Sequence, residues 1–179
     1  MTINTLYNLD YRTEEKEGYF GFSDGAVKSF ACNFTPISSQ NIKEVTPFFM
    51  VGDIRGSLEF YVNGLDFQVT KTWEPGGQLK WCWLQREGAS IMLQEHGEND
   101  SRYTQVKKGV GVALCFQCAD ALALYKKFLE NGLQPKEPFV GNGMWDVGLT
   151  DPDSYSIHFE SVTDVPEETT YTQWLSSGK

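Results

Sequence analysis

Residues 45 to 67 read VTPFFMVGDIRGSLEFYVNGLDF, and the fold turns on this stretch. Val45 to Val51 is an apolar, aromatic-rich run that stops at a glycine, the pattern of a buried strand. Asp53 then stands where a helix N-cap is wanted, because a short carboxylate can accept from the free N–H groups of a first turn. Ile54, Leu58, Tyr61 and Leu65 recur at helical spacing on one face. Gly64 is expected to supply the left-handed residue at which such a helix stops.

Three strands are expected next, Phe67 to Trp73, Leu79 to Gln85 and Ala89 to Glu95, with Glu74-Pro75-Gly76-Gly77 and Arg86-Glu87-Gly88 as their turns. A polar run, HGENDSRYTQVKKG over residues 96–109, leads into a second passage of the same kind. It has a strand over Gly111 to Cys118, Asp120 as N-cap, a helix carrying Leu124, Tyr125, Phe128 and Leu129, and Gly132 as its stop. Strands near Leu133 to Phe139, Met144 to Thr150 and Tyr155 to Glu160 complete it, with turns at Asn142-Gly143 and Asp151-Pro152-Asp153-Ser154. The recurrence reaches individual residues, since Asn63-Gly64-Leu65 matches Asn131-Gly132-Leu133 and Ser90-Ile91-Met92 matches Ser156-Ile157-His158.

Around this core, residues 1–42 read as an aperiodic extension, within which GYFGFSDG could form a hairpin, and residues 162–179 as a C-terminal arm docked by Trp174. The 24 acidic against 15 basic residues leave a net charge of -9, which argues against nucleic acid and mildly favours a cationic ligand. No apolar run is long enough to span a bilayer, and the first residues have neither a basic nor an apolar leader region. No membrane partner and a cytoplasmic location are therefore expected. Cys115 and Cys118 lie three apart on one strand and so point to opposite faces, which denies them a shared metal.

Two such units, with VGDIRGSLEFYVNGLDF opening the first and LTDPDSYSIHFES closing the second, resemble the vicinal oxygen chelate superfamily of glyoxalase I, extradiol dioxygenases and bleomycin resistance proteins. KWCWLQREGASIMLQE and PFVGNGMW are most similar to its glyoxalase/bleomycin resistance-like members. The resemblance implies an α+β domain over residues 43–161, with repeat one at 45–95 and repeat two at 111–161. It implies tandem βαβββ units forming curved, cup-like mixed sheets with helices on the outer face, and a homodimer. In metal-using members the ligands come from the first and fourth strands of each unit. The matching positions are Thr46, Met92, Ala113 and His158, of which only His158 is a good ligand, so no metal and no cofactor are expected.

By strand alternation Thr46 brings Phe48 and Met50 to the same face, Met92 brings Gln94, and His158 brings Ser156 and Glu160. Trp81 and Trp83 share a face, and Trp145 lies on the corresponding strand of the second unit. These tryptophans could stack on a planar or cationic ligand, or belong to the core or an interface. The expected ligand-binding set is therefore Thr46, Phe48, Met50, Trp81, Trp83, Met92, Gln94, Trp145, His158 and Glu160. The function this favours is metal-independent binding of a small aromatic or cationic compound. The alternative is a lyase, isomerase or dioxygenase, either with an atypical metal site or with His158 as general base and Gln94 orienting the substrate.

Overall fold

The computed structural model describes residues 43–97, 99–104 and 107–178. The expected extension over residues 1–42 and its hairpin lie outside the described residues. β1 (Phe48–Val51), α1 (Ile54–Leu58), β2 (Gln68–Trp73), β3 (Trp81–Arg86) and β4 (Ala89–Glu95) make the first module, whose sheet has the order β1-β4-β3-β2. After α2 (Ser101–Thr104), the second module repeats it with β5 (Ala113–Gln117), α3 (Ala121–Glu130), β6 (Phe139–Gly141), β7 (Met144–Thr150) and β8 (Ser156–Val162), in the order β5-β8-β7-β6. α4 (Tyr171–Ser176) follows. β1 runs parallel to β4 and β5 parallel to β8, while the remaining pairs are antiparallel. Parallel neighbours cannot be joined by a tight turn, so the chain must leave each first strand through a helix before returning to pair with it.

Both helix starts are capped as their sequences demand. Asp53 accepts from the Arg55 N–H at 3.0 Å and Asp120 from the Ala123 N–H at 2.9 Å, each cap worth about 1 kcal/mol. α1 widens into a π-helical turn over Glu59–Gly64, where the Leu65 N–H reaches back five residues to the Phe60 carbonyl. Each sheet buries one face under its helix. Cys82, Leu84, Ile91 and Leu93 lie on that side in the first module, and Trp145, Val147, Leu149, Ile157 and Phe159 in the second. An aromatic chain joins the two cores, with Phe67 to Phe116 at 5.9 Å, Phe116 to Phe159 at 5.0 Å and Phe159 to Phe128 at 4.9 Å between ring centres. Trp145 packs on Trp174 of α4 at 5.8 Å.

Polar contacts tie the modules as firmly. Tyr61 is fully buried and donates to the Asp151 carboxylate at 2.9 Å, while the other Asp151 oxygen accepts from the Asp153 and Tyr155 N–H groups. Burial pushes the Asp151 carboxyl up and, with the neighbouring carboxylate, pushes the Tyr61 phenol up too. Asp153 in turn accepts from the Gly52 N–H at 2.9 Å. The two Asn-Gly-Leu motifs touch one another, because the Asn131 amide donates to the Gly64 carbonyl at 2.8 Å and Leu133 packs over Gly64.

Three expectations are corrected. The sheets are not cups: each is an open four-stranded sheet, and neither is closed or strongly curled. Strong curl needs bulges or glycine kinks in the central strands. Here β3–β4 and β7–β8 stay in continuous register, and the shift between Val69 and Lys71 sits on the edge strand β2. The strand expected over Leu133 to Phe139 shrinks to Phe139–Gly141, because Pro135 and Pro138 lack the N–H groups a ladder requires. Gly64 is not a left-handed stop, since Gly132 has φ +84° but Gly64 is absent from the positive-φ residues. Gly64 is there for close packing, as a Cβ would lie 2.8 Å from both Leu133 methyl carbons. Gly64→Ala should therefore lower stability by about 1–3 kcal/mol, read as a reduced urea midpoint at unchanged slope.

Candidate functional site

The sheet faces turned away from the helices are only partly covered, and the two differ in chemistry. On the first sheet, register aligns side chains into two rows that cross all four strands. Phe48 lies beside Met92, Met92 beside Trp83 and Trp83 beside Lys71; in the next row Met50 lies beside Gln94, Gln94 beside Trp81 and Trp81 beside Trp73. Phe48 is 45% exposed and Trp73 55% exposed, although both are large and apolar. Trp81 and Trp83 meet edge to face at 6.5 Å, and the Lys71 ammonium lies 4.7 Å from the Trp83 ring centre. A cation thus already rests on this face, attracted by the ring quadrupole.

The second sheet presents polar groups instead. His158 projects from β8 with Ser156 two residues before it. Its Nδ1 is 2.9 Å from one Asp146 oxygen and 3.0 Å from the other, and its Nε2 is 2.9 Å from the Ser156 hydroxyl. Glu160 lies beside Asp146 across β7–β8 and accepts from the Gln117 amide at 2.5 Å. Cys115 occupies the β5 position beside His158, and burial, helped by Glu160 and Asp146, pushes its thiol up.

Phe48, Met50, Trp81, Trp83, Met92 and Gln94 thus come together on the first sheet, and His158 and Glu160 on the second. Two expected residues stand apart. Thr46 lies before β1, with its hydroxyl 3.5 Å from Glu44, and the strand residue beside Met92 is Phe48. Trp145 is 5% exposed on the helix side of its sheet, facing α4 rather than His158. Asp146 and Trp73 were not anticipated. Both follow the alternation of their strands, Asp146 opposite in phase to the buried Trp145 and Val147.

The side chains present do not fit the metal of the metal-using members. Of Thr46, Met92, Ala113 and His158 only the last is a strong ligand, and both its ring nitrogens are engaged within the protein. Among the described residues no group of three or more His, Cys, Asp or Glu side chains is placed to hold a metal ion. Nor, among them, is any helix long and apolar enough to cross a membrane.

Beside the first-sheet face, Glu95 ends β4 by accepting from the Ile54 N–H at 3.1 Å and pairing with Lys80. The Lys80 hydrogen bond holds the Glu95 carboxyl below the usual carboxylate range. A depressed pKa contributes stability above the unfolded value of about 4.3 and loses it as pH falls through the folded value. Glu95→Gln should therefore cost roughly 0.5–1 kcal/mol at neutral pH. Urea unfolding of the two proteins should converge as the medium is acidified past the folded pKa.

With two tandem modules and their open faces in view, a family model decides the wider kinship. Residues 42–159 match the glyoxalase/bleomycin resistance protein/dioxygenase superfamily. The chain belongs to that superfamily. No curated protein matches the chain. Among solved structures, the hypothetical protein SA1046 of S. aureus is 19% identical with a TM-score of 0.51, covering 67% of this chain and 94% of its own. The virulence protein STM3117 of Salmonella typhimurium is 20% identical with a TM-score of 0.52, covering 69% and 100%. TnmS3, an antibiotic binding protein from Streptomyces sp. CB03234, is 18% identical with a TM-score of 0.52, covering 70% and 100%. At these identities the likeness is one of fold.

Proposed function

We propose that this superfamily member binds a planar aromatic, cationic small molecule on the open face of its first sheet and holds it without changing it, with no metal. The observation that carries the reading is the pair of cross-sheet rows, in which Phe48, Met92, Trp83, Met50, Trp81 and Trp73 form an apolar, aromatic surface with Gln94 as a polar group within it. Stacking and cation-π contact are the attractive forces such a surface offers. Lys71 is the one titratable side chain in the two rows, and the rest of the face offers rings, thioethers and the Gln94 amide for holding a ligand. The net charge of -9 favours a cation. A protein of the same fold, TnmS3, is described as antibiotic binding.

Lys71 now rests where the ligand's charge would sit, so the two compete. Isothermal titration with ethidium and with bleomycin tests the reading. We expect heat and tryptophan quenching from at least one of them, with Trp83→Ala weakening binding by roughly tenfold, or about 1–2 kcal/mol. Lys71→Ala should strengthen it. Absence of heat from both compounds in folded protein, or binding indifferent to Trp83→Ala, would count against the assignment.

A further inference from the structure

We infer that the second sheet carries a separate activity: Asp146, His158 and Ser156 form a relay that makes the Ser156 hydroxyl a nucleophile toward small carboxylic esters of neutral or positive charge.

The geometry fixes the role of each atom. With Asp146 within 3.0 Å of Nδ1 through both oxygens, the proton of a neutral imidazole is held on Nδ1, where a carboxylate can accept it. Nε2 then carries the lone pair, and the Ser156 hydroxyl, 2.9 Å away, donates to it. This is the arrangement in which a histidine can take a hydroxyl proton while a carboxylate steadies the resulting cation, and it is recognised by geometry rather than by chain order.

The sheet builds the relay from two strands. Ser156 and His158 are two apart on β8 and share a face. The β7 residue directly beside His158 is Gly148, and Asp146 lies one step along the same face. The imidazole lies over β7 at Gly148, where a Cβ would make ordinary contact with the ring at 3.6 Å, and it reaches the diagonal carboxylate. The Lys136 side chain passes the same glycine, with its Cδ 3.5 Å from where a Cβ would lie. The His158 and Asp146 side chains remain 22% and 15% exposed, so a substrate can approach.

In the acylation step the Ser156 oxygen adds to the ester carbonyl carbon as its proton passes to Nε2. The carbon–oxygen bond to the leaving group breaks, and the alcohol departs with the proton from Nε2. Water then attacks the acyl-serine by the same route, releasing a carboxylic acid and restoring Ser156. No oxidant, metal or co-reactant besides water enters. Substrate charge is set by Asp146 and Glu160, which face each other across β7–β8 and repel an anionic acyl donor.

The full chain, treated with a fluorophosphonate probe and digested for mass spectrometry, should carry the phosphonyl group on Ser156, and it should hydrolyse p-nitrophenyl acetate with the same dependence on this residue. Ser156→Ala should abolish the adduct at that position. His158→Gln, which keeps a hydrogen-bonding side chain but cannot take the proton, should slow labelling roughly a hundredfold or more. Asp146→Asn favours the wrong tautomer and should lower the acylation rate at least about tenfold with the half-saturating ester concentration unchanged. That split separates a positioning residue from one that merely supports the fold. Near-ultraviolet circular dichroism confirms that each variant is folded. Absence of the adduct from Ser156 in folded protein, a label found only on lysine or tyrosine, or ester hydrolysis undiminished in Ser156→Ala would overturn the inference. None of these readouts involves the first sheet.

Discussion

The buried hydroxyl of Tyr61 sets the terms for the rest of the molecule. A phenol with no access to water must find a partner inside the protein or cost the fold roughly 1–3 kcal/mol, and its partner is Asp151 in the other module. Asp151 serves Tyr61 with one oxygen and accepts from the N–H groups of Asp153 and Tyr155 with the other, so a residue on the first module's helix is tied to the loop between β7 and β8. The same loop presents Asp153 to Gly52, and Tyr155 stacks on Phe49 at 4.0 Å and donates to the Met50 carbonyl. β1, which contributes Phe48 and Met50 to the first open face, is thereby positioned by contacts that begin in the second module.

The duplication has let the two open faces diverge while their scaffolds stayed alike. Helix-side positions are apolar in both modules, as burial requires. The outward positions are free of that demand, and the first sheet fills them with tryptophan, phenylalanine and methionine where the second has aspartate, glutamate, histidine and serine. Gln94 and Glu160, at corresponding positions of β4 and β8, show the contrast at a single position. One sheet presents aromatic rings and thioethers, the other carboxylates, an imidazole and a hydroxyl.

Much of this was legible in the chain. Alternation and the repeated Asn-Gly-Leu located both modules, the caps at Asp53 and Asp120, and the residues sharing a face with Met92 and His158, because those signals depend only on local periodicity. What local pattern could not convey was the consequence of contact between elements. Gly64 and Gly132 look equivalent in sequence, yet one is glycine for backbone conformation and the other because Leu133 presses on it. Trp145 sits on the strand that corresponds to Trp81 and Trp83 but in the opposite phase, and it was α4, a segment outside the repeat, that claimed it. The expected cup came from the resemblance alone; β3–β4 and β7–β8 pair in continuous register, and the shift between Val69 and Lys71 lies on the edge strand β2. Asp146 was missed because its importance lies in a diagonal contact across a glycine, which appears only once β7 and β8 are in register.

The meeting of the two Asn-Gly-Leu motifs has one more meaning. The contact runs one way, since Asn131 and Leu133 of the second motif engage Gly64 of the first while Asn63 donates to Glu59 in its own module, so it is not the reciprocal contact of a twofold axis. Tandem joining converts that encounter from a concentration-dependent association into an intramolecular one. Each motif is thereafter a constraint on the other, so the halves can drift in their open faces but not at their seam. Cut between β4 and β5, each half would still hold the complement that the other lacks.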